Sequence, residues 1–310
     1  VSLEAFEQAR ATRGEGRLAV LRDAAEAVAE HVRRTPVARA SHVSIDRVLV
    51  ETRRVLPDAR LVSPFVVLAR RALLLVAGNG LRVLVDPHDP GPSTPEMERL
   101  AARHPMLART LAPARPSDPR WPLTDLVVST SLAGVSIVRA REAIEGTRWI
   151  AYARELDAAR HPDPSEQPRY ARRTPEGIEA VEGARALAPG IVLLPTPGPS
   201  RGHGTIVFCL DGRVHVHTQA GVALDAWSPY ESAIPGLREA VRMRNVEALV
   251  RGDASEPALA LEAMAIERAL ADRREDAPAL FSILPAASAE VTWIAPRLRP
   301  HPAEILTGAP

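Results

Sequence analysis

Several side chains in this sequence have types and spacings that could do chemistry. His215 and His217 flank Val216 in the run Arg213 to Thr218. Residues two apart on a strand share a face, so both imidazoles would point the same way and could chelate a metal. They could equally occupy the less buried face of an alternating strand. Asp86, His88 and Asp89 stand in an Asp-Pro-His-Asp-Pro-Gly loop rich in oxygen and nitrogen donors. The interleaved prolines also fit a rigid turn with aspartate capping. His203 follows Arg201-Gly202 in a glycine-rich turn, where it could face a pocket or support the turn.

Other candidates read as structural. Ser131 and Ser136 lie outside any nucleophile-elbow sequence and have no evident histidine base, so they read as satisfied hydroxyls. Gly198, Gly202 and Gly204 serve backbone geometry; a phosphate cradle would need a following helix, and an apolar strand follows. Glu262 and Glu267 read as the solvated face of a helix rich in Ala, Leu and Ile. Cys209 reads as a small buried strand residue. Trp227 and Tyr230, on the loop starting at Asp225, could line a ligand cleft or a partner surface, or pack over a sheet edge.

Composition narrows the chemistry. All 39 Lys+Arg residues are arginine, which removes lysine Schiff bases and the P-loop lysine. One cysteine excludes an internal disulfide and a Cys-cluster zinc site. A net charge of +1 and 4% aromatics argue against nucleic acid as partner. The best apolar run, Ala72 to Ala77, is too short for a membrane span and is broken by Gly78-Asn79, so no membrane partner is expected. The charged, helix-patterned amino terminus resembles no signal peptide, which gives a cytoplasmic expectation.

The elements that must position these residues begin with helix. Leu18, Leu21, Ala25, Val28 and Val32 recur at helical spacing, Gly14 and Gly16 separate an earlier helix over Leu3 to Arg10, and Pro36 closes the segment. Short apolar runs follow. Strands are predicted at 47–52, 64–69, 72–77 and 81–85, with Gly78-Asn79-Gly80 as a hairpin turn. A helix from Thr94 to about Arg103 has a capping threonine. Further strands are predicted at 125–129, 149–153, 178–181, 191–194, 205–210, 213–218, 248–250 and 290–294. Asp211-Gly212 reads as a tight hairpin, and helices are expected before Gly146, over 235–244 and over 257–274. Pattern alone supports an α/β or α+β class.

Taken in order, these stretches resemble the metallo-β-lactamase superfamily. Leu84-Val85-Asp86-Pro87 stands where the family has a strand ending in an acidic turn. Asp125-Leu126-Val127-Val128-Ser129-Thr130 stands at the strand leading to the main metal motif, and 140–144 and 149–152 follow like the next helix and strand. Ile191 to Gly198, with its Thr-Pro-Gly turn, resembles the segment that delivers the next ligand, and Gly212 to Thr218 the strand before the bridging aspartate. The likeness runs from Arg47 to Arg274. It implies an α+β, four-layer αββα sandwich over residues 41–310, preceded by an amino-terminal helical segment over 1–40.

The ligand positions depart from the family. Its His-x-His-x-Asp-His motif falls on Ser131, Ala133, Val135 and Ser136. The histidine after the Thr-Pro-Gly turn is Pro199; the bridging aspartate falls at Ala220, or at Gln219 if the register slips by one. The last histidine falls in Arg251-Gly252-Asp253-Ala254, where only Asp253 could coordinate. In the family a metal-bound hydroxide attacks esters, thioesters, lactams or phosphodiesters, and zinc lowers the water pKa. Serine, alanine and proline cannot hold that zinc. The resemblance therefore implies no cofactor and a non-hydrolytic pseudoenzyme that binds a ligand, scaffolds or regulates, with a small molecule or a protein, a catalytic homologue included, as partner. Its candidate ligand-binding residues are the former metal positions and their surroundings: Ser131, Ala133, Val135, Ser136, Pro199, Ala220, Asp253, His203 and Trp227. The alternative is a hydrolase with a non-standard metal site built from His88, His203, His215, His217, Asp225 and Asp253.

Overall fold

In the computed structural model, which describes residues 2–61, 65–91, 99, 120–164, 170 and 176–289, two β-sheets stack face to face. The first holds β1 (Arg39–Glu51), β2 (Phe65–Val76), β3 (Arg82–Val85), β4 (Leu126–Ser129), β5 (Arg148–Tyr152) and β6 (Glu179–Val181) in that order. Pairs β1/β2 and β2/β3 are antiparallel, and β3 through β6 are parallel. Parallel neighbours need crossovers. α4 (Val138–Ala143) carries the chain from β4 to β5, and α5 (Ala153–Arg160) from β5 towards β6.

The second sheet contains β7 (Arg185–Ala188), β8 (Ile191–Pro195), β9 (Gly204–Leu210), β10 (Arg213–Thr218) and β11 (Ile283–Pro285), in the order β11-β10-β9-β8-β7. The β9–β10 hairpin turns at Asp211 and Gly212, both at positive φ (51° and 76°), as a two-residue turn with matching twist requires. The chain then crosses back, and β12 (Ala287–Ala289) pairs antiparallel with β2.

Helices cover both outer faces. Between the sheets, Leu73, Leu75, Val85 and Ile150 meet Leu193, Ile206 and Phe208. On the outer face of the second sheet, Val207, Val214 and Val216 pack under α1 (Ser2–Ala11), α2 (Arg17–Arg33) and α7 (Pro257–Leu270) through Phe6, Leu21, Val28, Met264 and Leu270. On the outer face of the first, Val127 and Trp149 pack under α4 and α5 through Ala140 and Leu156. The order is helix, sheet, sheet, helix: the αββα sandwich. Among the described residues no helix is long and apolar enough to cross a membrane.

Three local expectations change. The predicted strands at 64–69 and 72–77 are one continuous strand, β2. Arg70 and Arg71 read as a break, but Arg70 is register partner to Asp46 of β1 and ion-pairs with it, while Arg71 donates to Ser288 Oγ at 2.9 Å. Residues 248–250 form no strand; Leu249 N–H donates to Ala226 O, and the short apolar run is buried as a loop. α5, β7, β11 and β12 have no distinct pattern in the sequence, being short or preceded by another apolar run. The predicted strand at 290–294 and, apart from Arg99, the helix at 94–103 lie outside the described residues.

Candidate active site

The loops leaving the C-terminal ends of β3, β4, β8 and β10 converge on one edge of the sandwich, the place where open sheets with parallel strands hold ligands. They form a cleft of about 170 Å³. Asp86, Ser131, Pro199 and Gln219 line it, one from each loop. Val48, Val50 and Leu68, from β1 and β2, add apolar lining, and the charged groups of Arg54, Arg251 and Asp253 complete it.

Asp86 anchors the floor. It adopts φ 54°, a left-handed conformation that aspartate tolerates. Its carboxylate accepts Thr130 N–H at 2.7 Å, the Thr130 hydroxyl at 2.6 Å and His217 Nε2–H at 3.0 Å. Burial works to raise its pKa, but the hydrogen bonds and charge of His217 and the Thr130 bonds outweigh burial and hold it below the ordinary carboxylate range. The neighbouring Asp89 is a capping residue: Oδ1 accepts Ala140 N–H at 2.7 Å and Oδ2 accepts the Ser136 hydroxyl, which ties the β3 loop to α4.

Glu155, at the first turn of α5, is fully buried. Its Oε1 accepts Ser131 Oγ–H at 3.0 Å and Leu132 N–H at 2.7 Å; Oε2 accepts Ser200 Oγ–H at 2.8 Å and Gly202 N–H at 2.9 Å. One carboxylate thus ties the loop after β4 to the loop after β8. Gly202 is required there, since a Cβ would lie 2.2 Å from Glu155 N. The Ser131 hydroxyl also accepts Ala133 N–H, so it is a satisfied structural group.

Behind the cleft runs a second network. His203 is fully buried, with Nδ1 2.9 Å from Thr196 O and Nε2 3.2 Å from Gln219 N. A carbonyl at one nitrogen and an N–H at the other fix the neutral Nδ1–H tautomer. Burial lowers its pKa to about 4. Thr205 Oγ–H, Thr218 Oγ–H and Trp227 Nε1–H all donate to Glu267, at 2.9, 2.6 and 2.7 Å.

Glu267 is therefore not on a solvated face: its carboxyl is enclosed by protein and closed to water, whereas Glu262 ion-pairs with Arg17. Burial pushes its pKa from the ordinary 4.5 to about 7, against the pull of those three hydrogen bonds. A carboxyl raised on folding stabilises fully below its unfolded pKa, and that contribution is lost as pH rises through about 7. Displacing one proton equilibrium by one pH unit is worth about 1.4 kcal/mol, so the loss between pH 5 and pH 8 is about 2 kcal/mol. Glu267→Gln cannot ionise and is expected to lack this decline. Urea unfolding of both proteins at pH 5 and pH 8 should show the variant gaining on the parent by about 2 kcal/mol; parallel profiles would contradict the assignment.

At the rim, Asp253 accepts Arg251 Nε–H at 2.8 Å and Nη2–H at 2.9 Å, and Arg54 Nε–H at 3.0 Å. Burial would raise its pKa, but the charge and hydrogen bonds of Arg251, then those of Arg54, hold it low. Gly252 permits this contact, because a Cβ would meet Arg53 O at 2.8 Å.

The expected site residues separate into groups. Ser131, Ala133, Val135, Pro199 and Asp253 line the cleft. Ser136 lies beside it on Asp89. Gln219, not Ala220, faces the cleft; Ala220 is packed in the outer core. Trp227 is fully buried on Glu267 and does not line this cleft, its indole N–H spent inside. His215 and His217 do share a face, but it is the inner face of a strand buried on both sides, because helices cover the other. His215 stacks on Phe208 with centroids 5.3 Å apart. Of the alternative ligand set, only His88 and Asp253 line the cleft, and Asp225 is buried away from it. Both nitrogens of His203 are engaged, and Asp253 is held between two guanidinium groups. Among the described residues, no group of three or more His, Cys, Asp or Glu is placed to hold a metal ion. Glu155, Glu267 and Arg251 do not stand out as site residues in the sequence.

Solved structures resemble this architecture. An N-acyl homoserine lactone hydrolase, solved with the product N-hexanoyl-L-homoserine at its catalytic metal center, matches with a TM-score of 0.51 and 17% identity over 74% of this chain and 86% of that one. A probable metal-dependent hydrolase from Staphylococcus aureus matches with a TM-score of 0.50 and 12% identity, over 74% and 83%. No protein-family model matches the sequence, and no curated protein is similar to it. Identities this low speak for the fold alone. With two sheets in this strand order, helices on both outer faces and a cleft at the loop ends, the chain is a metallo-β-lactamase-fold protein.

Proposed function

We propose that this chain is a non-hydrolytic pseudoenzyme, a ligand-binding protein that uses the cleft of a hydrolase fold without its metal. The observation that carries the reading is the engagement of the groups around the cleft. Asp86, Glu155, Asp253 and His203 direct their lone pairs at protein N–H and O–H donors. Converting Asp86, Glu155 or His203 to metal ligands would leave their buried donors without acceptors, at a cost of about 1–3 kcal/mol each. The reading includes an added helical segment over 1–40 on a sandwich of 41–310, a cytoplasmic location, and a small molecule or a protein partner such as a catalytic relative. Ser131, Ala133, Val135, Pro199 and Asp253 are its ligand-facing residues.

Elemental analysis of the purified protein is expected to find no stoichiometric zinc, iron or manganese. Ester, thioester and phosphodiester substrates should not turn over, with or without added metal. Metal-dependent turnover that disappears in Asp253→Ala or His88→Ala would replace this reading with a hydrolase using a non-standard site.

A further inference from the structure

We infer that the cleft binds a short aliphatic monocarboxylate, its head on Arg54 and Arg251 and its tail against Val48, Val50, Val55 and Leu68; this rests on the ligand-binding reading above. Three observations converge. First, charge at the rim is unbalanced: two guanidinium groups share the single carboxylate of Asp253. The third cleft arginine, Arg70, has its own partner in Asp46. The remaining cleft carboxylate, Asp86, lies on the floor and is held by Thr130 and His217; at the rim itself one guanidinium charge is left over, which matches a monoanion.

Second, the donors are available. Arg54 spends only Nε on Asp253, and its side chain is 51% exposed. Neither of its Nη groups has a protein partner among the described residues. Arg251 directs Nη1 only at Gln219 O, at a long 3.4 Å. A guanidinium presents five N–H groups in a planar fork suited to a carboxylate.

Third, part of the lining is apolar and the space is small. Val48 and Val50 come from β1, Val55 from α3 (Thr52–Val55) and Leu68 from β2. A volume of about 170 Å³ is close to that of an engineered cavity that admits benzene, so the ligand has on the order of six to ten heavy atoms. A carboxylate with a four-carbon tail fits that size. No covalent step is involved.

The test is calorimetric titration of the full chain with pentanoate, pentanamide and inorganic phosphate. Pentanoate should bind saturably, one per chain, and pentanamide at least about tenfold more weakly, because it lacks the charge the arginines recognise. Arg54→Gln, at an exposed position, should weaken pentanoate about tenfold and leave pentanamide unchanged. Equal binding of acid and amide, tighter binding of phosphate, or no saturable binding of pentanoate to about 10 mM would overturn the inference. Elemental analysis of the same sample separates the two layers. Pentanoate binding that a chelator abolishes and Arg54→Gln spares would sink the metal-free reading. A metal-free protein that ignores pentanoate would sink only the ligand class.

Discussion

Lowering the pH from 7 to 4 is expected to remove about 6 kcal/mol of folding stability, the loss at three buried neutral histidines less what one buried carboxyl returns. Burial, the largest cause in each case, lowers His88, His203 and His215 from the ordinary 6.5 to about 4. The charge of Arg70 adds to this at His88, and that of Arg213 at His215. A base whose folded pKa is depressed contributes stability above its unfolded pKa and loses it as pH falls through the folded one. Each histidine therefore loses about 2 kcal/mol between pH 7 and pH 5, and about 1 kcal/mol more by pH 4. Glu267 has the opposite sign and returns about 2 kcal/mol on the way down to pH 5 and about 1 kcal/mol more by pH 4. The net loss is about 4 kcal/mol at pH 5 and about 6 kcal/mol at pH 4, comparable with the whole stability of many domains. Urea unfolding across this range should show it. His215→Leu, which keeps the apolar contact with Phe208, should flatten the curve by about one proton. Stability unchanged from pH 7 to pH 4 would mean these imidazoles are hydrated in the fold.

The sandwich is legible because its strands are short apolar runs ended by turn residues, and because the loops after β3, β4, β8 and β10 keep their order. Ser131, Ala133, Val135, Pro199 and Asp253 therefore meet at one cleft although none of them is a histidine. Sequence leaves the choice between Ala220 and Gln219 open, since a strand end one residue longer reverses which side chain faces out. Glu267 reads as solvated although a contrary signal exists. Ala260, Ala263, Met264, Glu267 and Leu270 follow one helical stripe, all buried, so Glu267 stands on the apolar face and Glu262 does not. The polar partners, Thr205, Thr218 and Trp227, come from other elements, and nothing local announces them. Arg251 and Arg54 are nearly two hundred positions apart in sequence and acquire meaning only through the shared Asp253. The two arginines of β2 are opaque for the same reason: their partners, Asp46 and Ser288, lie on neighbouring strands.

Glu155→Ala is expected to cost about 3–5 kcal/mol and to lower the melting temperature by on the order of 10 °C. The carboxylate is buried and takes two hydroxyl and two amide protons, from Ser131, Leu132, Ser200 and Gly202. Removing it leaves two buried amides without an acceptor, each costing about 1–3 kcal/mol, while the serine hydroxyls, 3.0 Å apart, can re-pair with each other. Glu155→Gln should recover part of the loss: its oxygen can still serve one side, but its NH₂ on the other side would face the Gly202 or Leu132 N–H, donor against donor. The effect should also be local. Amide exchange at Leu132 and Gly202 should accelerate far more than exchange in β9, which is buried by both sheets and helices. This matters because the two loops that Glu155 joins are those in which the family resemblance puts metal ligands. An internal carboxylate fastening them would hold the cleft open in its present shape with no ion present. A Glu155→Ala protein that keeps its stability and its exchange pattern would show that the loops stand on their own, and the cleft would then need another source of order.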